Sequence, residues 1–447
     1  MTIPILIKDA KIINEREIKQ ADILIENGKF VEIGQIKAKS HYNIINAKGK
    51  LALPGVIDAQ VHFRDPGFTY KADIYTESKA AVTGGVTSFI DMPNTYPNVL
   101  SISILNEKYK IAAHKSLANF GFFLGINTEN LDEVLQMDTS HLLAISDDGL
   151  YFTKKGNLLA DRPDILEKIF EEKKDCIVAI HAEKEAIVEE NERKFNTKYG
   201  EHVPVELHPK IRSVKACYSA SKQAIDLAKK HQARLHILHL TTGKETELFS
   251  NQIALKDKKI TTEVCVQNLW FSDKDYKQLG TRIKWNPAIK TEEDRQSLLK
   301  ALINDKIDII TTDHAPHTLE EKEKTYFKSM SGAPMVQHGL NIMLELYKKN
   351  QISLEKIVEK MCHNPAILYK IDKRGFIKKG FFADLVLVDP TKHWTVHTNN
   401  LKYKCGWSPL EGTEFTTQLT HTIVNGNIVY QNGSYYEGIK GKALIKA

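Results

Sequence analysis

Short apolar runs alternate with longer amphipathic ones through the middle of the chain. The apolar runs fall at about 56–63, 86–92, 118–125, 141–146, 175–181, 234–239, 260–266 and 307–313. Runs of this length, bounded by turn residues, read as buried strands. Charged, Ala-rich or Leu-rich segments separate most of them, and those at 72–83, 101–115, 213–231 and 293–304 carry the helical pattern. Eight strands with helical crossovers predict an α/β fold, a closed parallel (β/α)8 TIM-like barrel. An open doubly wound sheet is the rival, but no Gly-x-Gly-x-x-Gly follows the first strand.

The two ends of the chain read differently. Ile5 to Ile13 and Ala21 to Ile33 are β-rich, and the second run is broken by Asn27-Gly28, a hairpin pair. Ala383 to Asp389 reads as a strand, and a second hairpin turns at Asn425-Gly426. The predicted organisation is a small β-sandwich domain built from both termini, residues 1–53 plus 366–447, beside a hydrolase-type barrel over residues 54–365. No repeat of solenoid length and no low-complexity tract interrupts it.

Composition narrows the partners. Hydrophobic residues make up 42% and charged residues 26% of 447, ordinary for a globular chain with a large core. The net charge of +6 is small against 62 Lys+Arg and 56 Asp+Glu. No dense basic block occurs, which argues against a nucleic-acid partner, while a mildly positive field would help draw in a small anion. No stretch approaches the roughly 18 apolar residues of a membrane span. The apolar run at the N-terminus is broken by charge too soon for a signal peptide. Cys176, Cys217, Cys265, Cys362 and Cys405 are odd in number and widely spaced, so they read as free thiols in a reducing, cytoplasmic setting.

In such a barrel the active site lies at the carboxyl ends of the strands. The first strand ends Asp58-Ala59-Gln60-Val61-His62-Phe63-Arg64, and alternation places Asp58, Gln60, His62 and Arg64 on one face. Four polar residues on a buried face are costly without partners. Later strands end Ser146-Asp147-Asp148-Gly149, Ile180-His181-Ala182-Glu183, His236-Ile237-Leu238-His239 and Thr312-Asp313-His314-Ala315-Pro316-His317. A single His near a strand end is ordinarily just hydrogen-bonded, and His236 is expected to point away from the site. His62, Asp148, His181, His239 and Asp313, however, end separate strands of one barrel. Imidazoles with carboxylates suit Zn²⁺ and leave a position for water, whose pKa zinc lowers to about 7. A carboxylate placed as Asp313 is can also take a proton and pass it to a leaving nitrogen. The plainer alternatives are a helix cap for Asp313 and a turn for Asp147-Asp148-Gly149. Spacing leaves open which of the two Asp residues faces the ion. Arg64, Asn94 and Asn286 offer substrate handles, a guanidinium fork and two amides, against surface ion pairing and turn capping.

These phrases, with Pro54-Gly55-Val56-Ile57-Asp58 and Met92-Pro93-Asn94-Thr95, resemble the dihydroorotases of the amidohydrolase superfamily through nearly the whole chain. The resemblance implies reversible cyclisation of N-carbamoyl-L-aspartate to dihydroorotate plus water, in pyrimidine synthesis, by metal-bound hydroxide with Asp313 as proton shuttle. It implies His62, His181, His239 and Asp313 as metal ligands, Asp148 as a residue bridging two metals, and Arg64, Asn94, Asn286 and His317 as substrate-binding. One or two Zn²⁺ ions per chain and a small-molecule substrate follow, with a homo-oligomer left open. No Gly-x-Lys-x-Phe marks the fourth strand, so the carboxylated lysine of related hydantoinases is not expected; Lys154 and Lys155 come too late. Two departures stand out. Gln60 replaces the first of two His in the family's first-strand motif, and an amide oxygen is a poorer zinc ligand than imidazole. Val266-Gln267-Asn268 replaces a His pair common after the seventh strand, near the site but not at a ligand position. Gln60 keeps open a non-catalytic homologue that partners another pyrimidine-pathway enzyme. Another cyclic amidohydrolase, an allantoinase or hydantoinase, is the third possibility, disfavoured by Arg64 and Asn94. Gly332 and Pro334 make the segment around Ser329–Pro334 a candidate for closure over substrate.

Overall fold

A computed structural model describes residues 3–150 and 158–447. Its barrel strands are Val56–Val61, Val86–Asp91, Asn119–Phe122 with Leu124–Gly125, Ile145–Ser146, Val178–Ile180, Leu235–Ile237, Ile260–Cys265 and Ile309–Thr311. All pair in parallel with their sequence neighbours, Ser88 beside Asn119 and Ile145 beside Val178, for example. The ring closes where Val61 bridges His314 and the His62 N–H donates to the His314 carbonyl at 2.8 Å. All eight predicted strands are present, several shorter than their apolar runs. The fifth, sixth and eighth stop at Ile180, Ile237 and Thr311. The candidate ligands therefore stand in the turns just beyond, free of the ladder's hydrogen-bond geometry.

The helices follow their sequence signals. Ile74–Thr83 starts at a capping box between Asp73 and Thr76, and Glu292–Ile303 at one between Thr291 and Asp294. In each the side chains satisfy backbone groups that the first turn leaves unpaired. Ser213 caps Val214–His231. The largest apolar cluster joins strand residues such as Val178, Ile180, Val264 and Ile310 to helix residues such as Ile169, Ile225, Leu302 and Leu340, so the main core lies between barrel wall and helices. No helix among the described residues is long and apolar enough to cross a membrane.

Strands from both ends of the chain form one nine-stranded sheet. Ile5–Asn14, Glu17–Glu26 and Lys29–Gly34 meander at one side, and Leu385–Asp389, Gln418–Val424 and Asn427–Gln431 lie at the other. The halves meet where Leu51–Pro54 runs antiparallel to Leu385–Asp389, with Leu53 opposite Val386. Only Gly55 separates that seam from the first barrel strand, and its N–H donates to Asp384 O at 2.9 Å. The sheet thus anchors the strand that carries Gln60 and His62. Beyond the sheet the chain returns to the barrel, where Leu444 N–H donates to Phe120 O at 2.8 Å. The five cysteines are free thiols, four of them buried.

Candidate metal centre and active site

Asp58 ties the first and eighth strand ends together. Its carboxylate accepts the Thr312 N–H at 3.2 Å and the Thr312 hydroxyl at 2.5 Å. Burial pushes its pKa up to about 7 against those bonds. Beyond this brace, the chain enters the left-handed region at Arg64 (φ +64°), His239 (φ +35°) and Asp313 (φ +41°). Non-glycine residues held there cost about 1–3 kcal/mol each and collect at functional sites.

Asp148, His181 and His239 converge. They offer one carboxylate oxygen and two ring nitrogens, all within 4.8 Å of one another. His181 Nδ1 lies 3.0 Å from His239 Nε2, and Asp148 Oδ1 lies 3.8 and 3.7 Å from these two atoms. The other nitrogen of His181 donates to Glu183 at 2.8 Å, and Arg212 pairs with Glu183 from behind. That bond leaves Nδ1 with its lone pair facing Asp148, as a metal-bound histidine requires. His239 Nδ1 is buried with no hydrogen-bond partner among the described residues. Two lone-pair nitrogens and a carboxylate aimed at one point fit a divalent cation. A second group lies alongside: His62 Nε2 is 3.3 Å from Asp148 Oδ2 and 3.2 Å from Asp313 Oδ1, while its Nδ1 donates to Asn94 Oδ1 at 2.7 Å.

The two neighbouring aspartates have separate tasks. Asp147 accepts backbone N–H groups from His181 at 3.0 Å and Leu159 at 2.7 Å, so Asp148 alone faces the histidines. Gly149, at φ +71°, completes the turn, and a Cβ there would sit 2.0 Å from Asn94 Nδ2. Asp148 is held well below the ordinary carboxylate range: burial would raise it, but the neighbouring imidazoles of His181, His239 and His62 outweigh burial. Asp313 is shifted upward, because burial outweighs the pull of His62, which suits a group that must accept a proton.

A cavity joins His62, Arg64, Asn94, Asp148, Asn286 and Asp313, and Ser331 and Gly332 also line it. Arg64 donates Nε–H to Pro316 O at 3.3 Å and sets Nη2 3.2 Å from His317 Nε2. That nitrogen also lies 3.1 Å from Ser331 O, and Lys71 Nζ reaches His317 Nδ1 at 3.1 Å. Burial holds His317 neutral, well below its usual pKa. A neutral imidazole that donates to Ser331 and accepts from Lys71 has no lone pair for Arg64, so Nη2 keeps a hydrogen for a ligand. Asn286 Oδ1, an acceptor, and Trp285 Nε1, a donor, are buried without partners among the described residues, and both residues line this cavity. The Ser329–Pro334 segment is pinned in place: Lys284 Nζ donates to Ser329 O at 2.6 Å, Lys322 Nζ to Met330 O at 2.7 Å, and Gly332 N–H to Lys284 O at 2.8 Å.

Every ligand candidate is thus gathered at one end of the barrel, and His236 turns away to Thr261 and Glu263, at 2.9 and 3.1 Å. Gln60 is present too, but its amide nitrogen, not its oxygen, faces Asp148, at 3.5 Å. Asp313 caps no helix; Thr318 caps the one that follows. Asn268 donates to Thr241, and Gln267 Oε1 is buried without a partner among the described residues. Lys154 and Lys155 lie outside the described residues. Sequence reasoning passed over Glu183, although its place two residues after His181 puts it on the same strand-end turn. Arg212 and Lys71 carry no local signal, because each meets its partner only through the fold, whereas Glu321 lies on the helix Leu319–Lys322 four residues after His317, 3.5 Å from its Nδ1.

Imidazoles and carboxylates gathered at the strand ends of a closed (β/α)8 barrel define a metal-dependent hydrolase. Residues 51–429 match the amidohydrolase family, and the chain belongs to it. The dihydroorotase of Methanosarcina acetivorans is 32% identical over 439 residues, covering 96% of this chain and 92% of its own length. That of Pyrococcus furiosus is 31% identical over 443 residues, covering 99% and 96%. Among solved structures, the L-hydantoinase (dihydropyrimidinase) of Arthrobacter aurescens superposes over 100% of both chains with a TM-score of 0.91 at 25% identity.

Proposed function

We propose that the chain is a dihydroorotase, interconverting N-carbamoyl-L-aspartate and dihydroorotate plus water in pyrimidine synthesis. The observation that carries this reading is Arg64. A buried guanidinium with a free Nη2 hydrogen lines the same cavity as His62, Asp148 and Asp313. A substrate carboxylate would complete it with a charge-assisted bond, and the relatives that match over nearly the full length are dihydroorotases. Hydantoins and allantoin lack that carboxylate. The fold likeness to a hydantoinase favours the alternative, but fold does not carry substrate choice. The assembled ligands and Asp313 count against a non-catalytic partner.

His181, His239 and Asp148 would hold the metal, which we assign as Zn²⁺ from its imidazole and carboxylate donors, with His62 and Asp313 beside it. When bound, it supplies a water of lowered pKa and polarises the ring amide carbonyl. Glu183 keeps His181 in the tautomer that leaves Nδ1 unprotonated. Asp313, raised by burial, takes the proton released when water adds to that carbonyl and delivers it to the departing ring nitrogen. In the synthetic direction it removes the proton from the ureido nitrogen. Arg64 holds the carboxylate, with neutral His317 fixing the guanidinium's neighbourhood. Asn286 Oδ1 and Trp285 Nε1 offer an acceptor and a donor to the polar edge of the ring. Asn94 orients His62 and closes the wall over Gly149.

In this reading residues 54–365 form the catalytic barrel, and residues 1–53 with 366–447 form the small β domain. Five free thiols support a reducing, cytoplasmic setting. The test is an assay of the Zn²⁺-loaded protein on dihydroorotate, hydantoin and allantoin. Hydrolysis of dihydroorotate alone is expected; faster hydrolysis of hydantoin or allantoin would sink the proposal.

A further inference from the structure

The two oxygens of Asp148 face different neighbourhoods. Oδ1 looks toward His181 Nδ1 and His239 Nε2, at 3.8 and 3.7 Å. Oδ2 looks toward His62 Nε2 and Gln60 Nε2, at 3.3 and 3.5 Å. The first neighbourhood is a set of lone-pair donors aimed at one point. The second has His62, Asp148 Oδ2 and Asp313 Oδ1, and to hold a cation as firmly it would need a lone pair from residue 60.

Gln60 is turned the other way. Its amide nitrogen, which has only hydrogens to offer, faces Asp148. Its carbonyl oxygen faces the buried Cys265 Sγ at 3.6 Å. The surroundings favour this orientation. Reversed, the carbonyl oxygen would stand against a carboxylate oxygen with no hydrogen between them. The Cys265 sulfur is also 3.4 Å from Thr311 Oγ1, and Thr311 donates its own hydrogen to Glu263 at 3.0 Å. The thiol is therefore left to donate, toward Thr311 or the Gln60 oxygen.

We infer that this chain holds a single ion, on Asp148 Oδ1, His181 and His239, and that the Gln60 amide occupies the adjacent position with a hydrogen bond to Asp148 Oδ2. The inference rests on the metal-dependent reading above and assigns Gln60 a positioning role: it steadies the carboxylate that shares the ion. An N–H and a cation compete for the same lone pairs of Oδ2, so the amide excludes a second ion as well as failing to bind one.

The test strips the full-length protein of metal, titrates it with Zn²⁺, and counts ions per chain by elemental analysis for the wild type and Gln60→His. One ion in the wild type and two in Gln60→His are expected. Two ions in the wild type overturn the inference, as does a folded Gln60→His variant that still takes one. If that variant does not fold, electron paramagnetic resonance of the Mn²⁺-loaded wild type decides: an isolated-ion spectrum supports the inference, and an exchange-coupled pair overturns it. Turnover of dihydroorotate is measured on the same samples. Two ions with turnover remove the inference and leave the proposed function standing; one ion without turnover does the reverse.

Discussion

Asp147 accepts the backbone N–H of His181 at 3.0 Å. The bond locks the end of the fourth barrel strand to the end of the fifth, and so sets the spacing between Asp148 and His181. Neighbours in sequence divide the work, one carboxylate bracing the backbone and the other facing the ion.

Replacing each in turn separates these tasks. Asp147→Asn sets an amide NH₂ against one of two backbone N–H groups, leaving a buried donor unsatisfied at a cost of about 1–3 kcal/mol. A lower urea midpoint with metal capacity retained is expected. Asp148→Asn should instead lose the ion with a far smaller change in the midpoint. If both variants lose metal equally and unfold alike, the division is wrong.

Asp313→Asn should abolish turnover and leave the fold intact. General acid–base catalysis contributes about 10²–10⁴ in rate, so kcat should fall at least that far while far-ultraviolet circular dichroism is unchanged. Wild-type-like activity would remove Asp313 as the proton carrier.

Arg64→Ala should raise KM for carbamoyl aspartate and leave metal content alone. A hydrogen bond to a charged group contributes about 1.5–3 kcal/mol, which predicts a rise of roughly 10- to 150-fold. An unmoved KM would place the carboxylate elsewhere.

Binding should weaken on the alkaline side. Lys71 sits behind His317, at 3.1 Å, and pairs with Glu321 at 3.3 Å. Burial first, then the Arg64 charge, draws its pKa down to about 8. The shift is downward, so the ammonium is present below that pH and is lost as the pH rises through it. The positive charge beside the carboxylate site goes with it, and KM should climb above about pH 8. Lys71→Met should have a high KM on both sides of that pH. A wild-type KM that stays flat, or a step that persists in the variant, would exclude Lys71.

Much of this molecule was legible in one dimension. The eight strand runs, the Asn27-Gly28 and Asn425-Gly426 hairpins and the helix caps are local features, and local steric and hydrogen-bonding rules decide them. Because strand ends of a closed barrel must converge, His62, Asp148, His181, His239 and Asp313 could be grouped before any distance was known. What needed the fold was orientation. Two adjacent aspartates have equal claims in sequence; only the neighbouring strand's N–H at His181 shows that Asp147 is taken. Gln60 has an oxygen and a nitrogen at the end of one side chain, and only Cys265 and Asp148, which lie 205 and 88 residues away along the chain, determine which faces the ion. Lys71 and Arg212 reach the site through side-chain contacts with residues far along the chain, and no periodicity records them. Composition and pattern determine which elements form, because those energies are local, whereas the protonation, tautomer and facing of each site residue depend on groups that folding alone brings near.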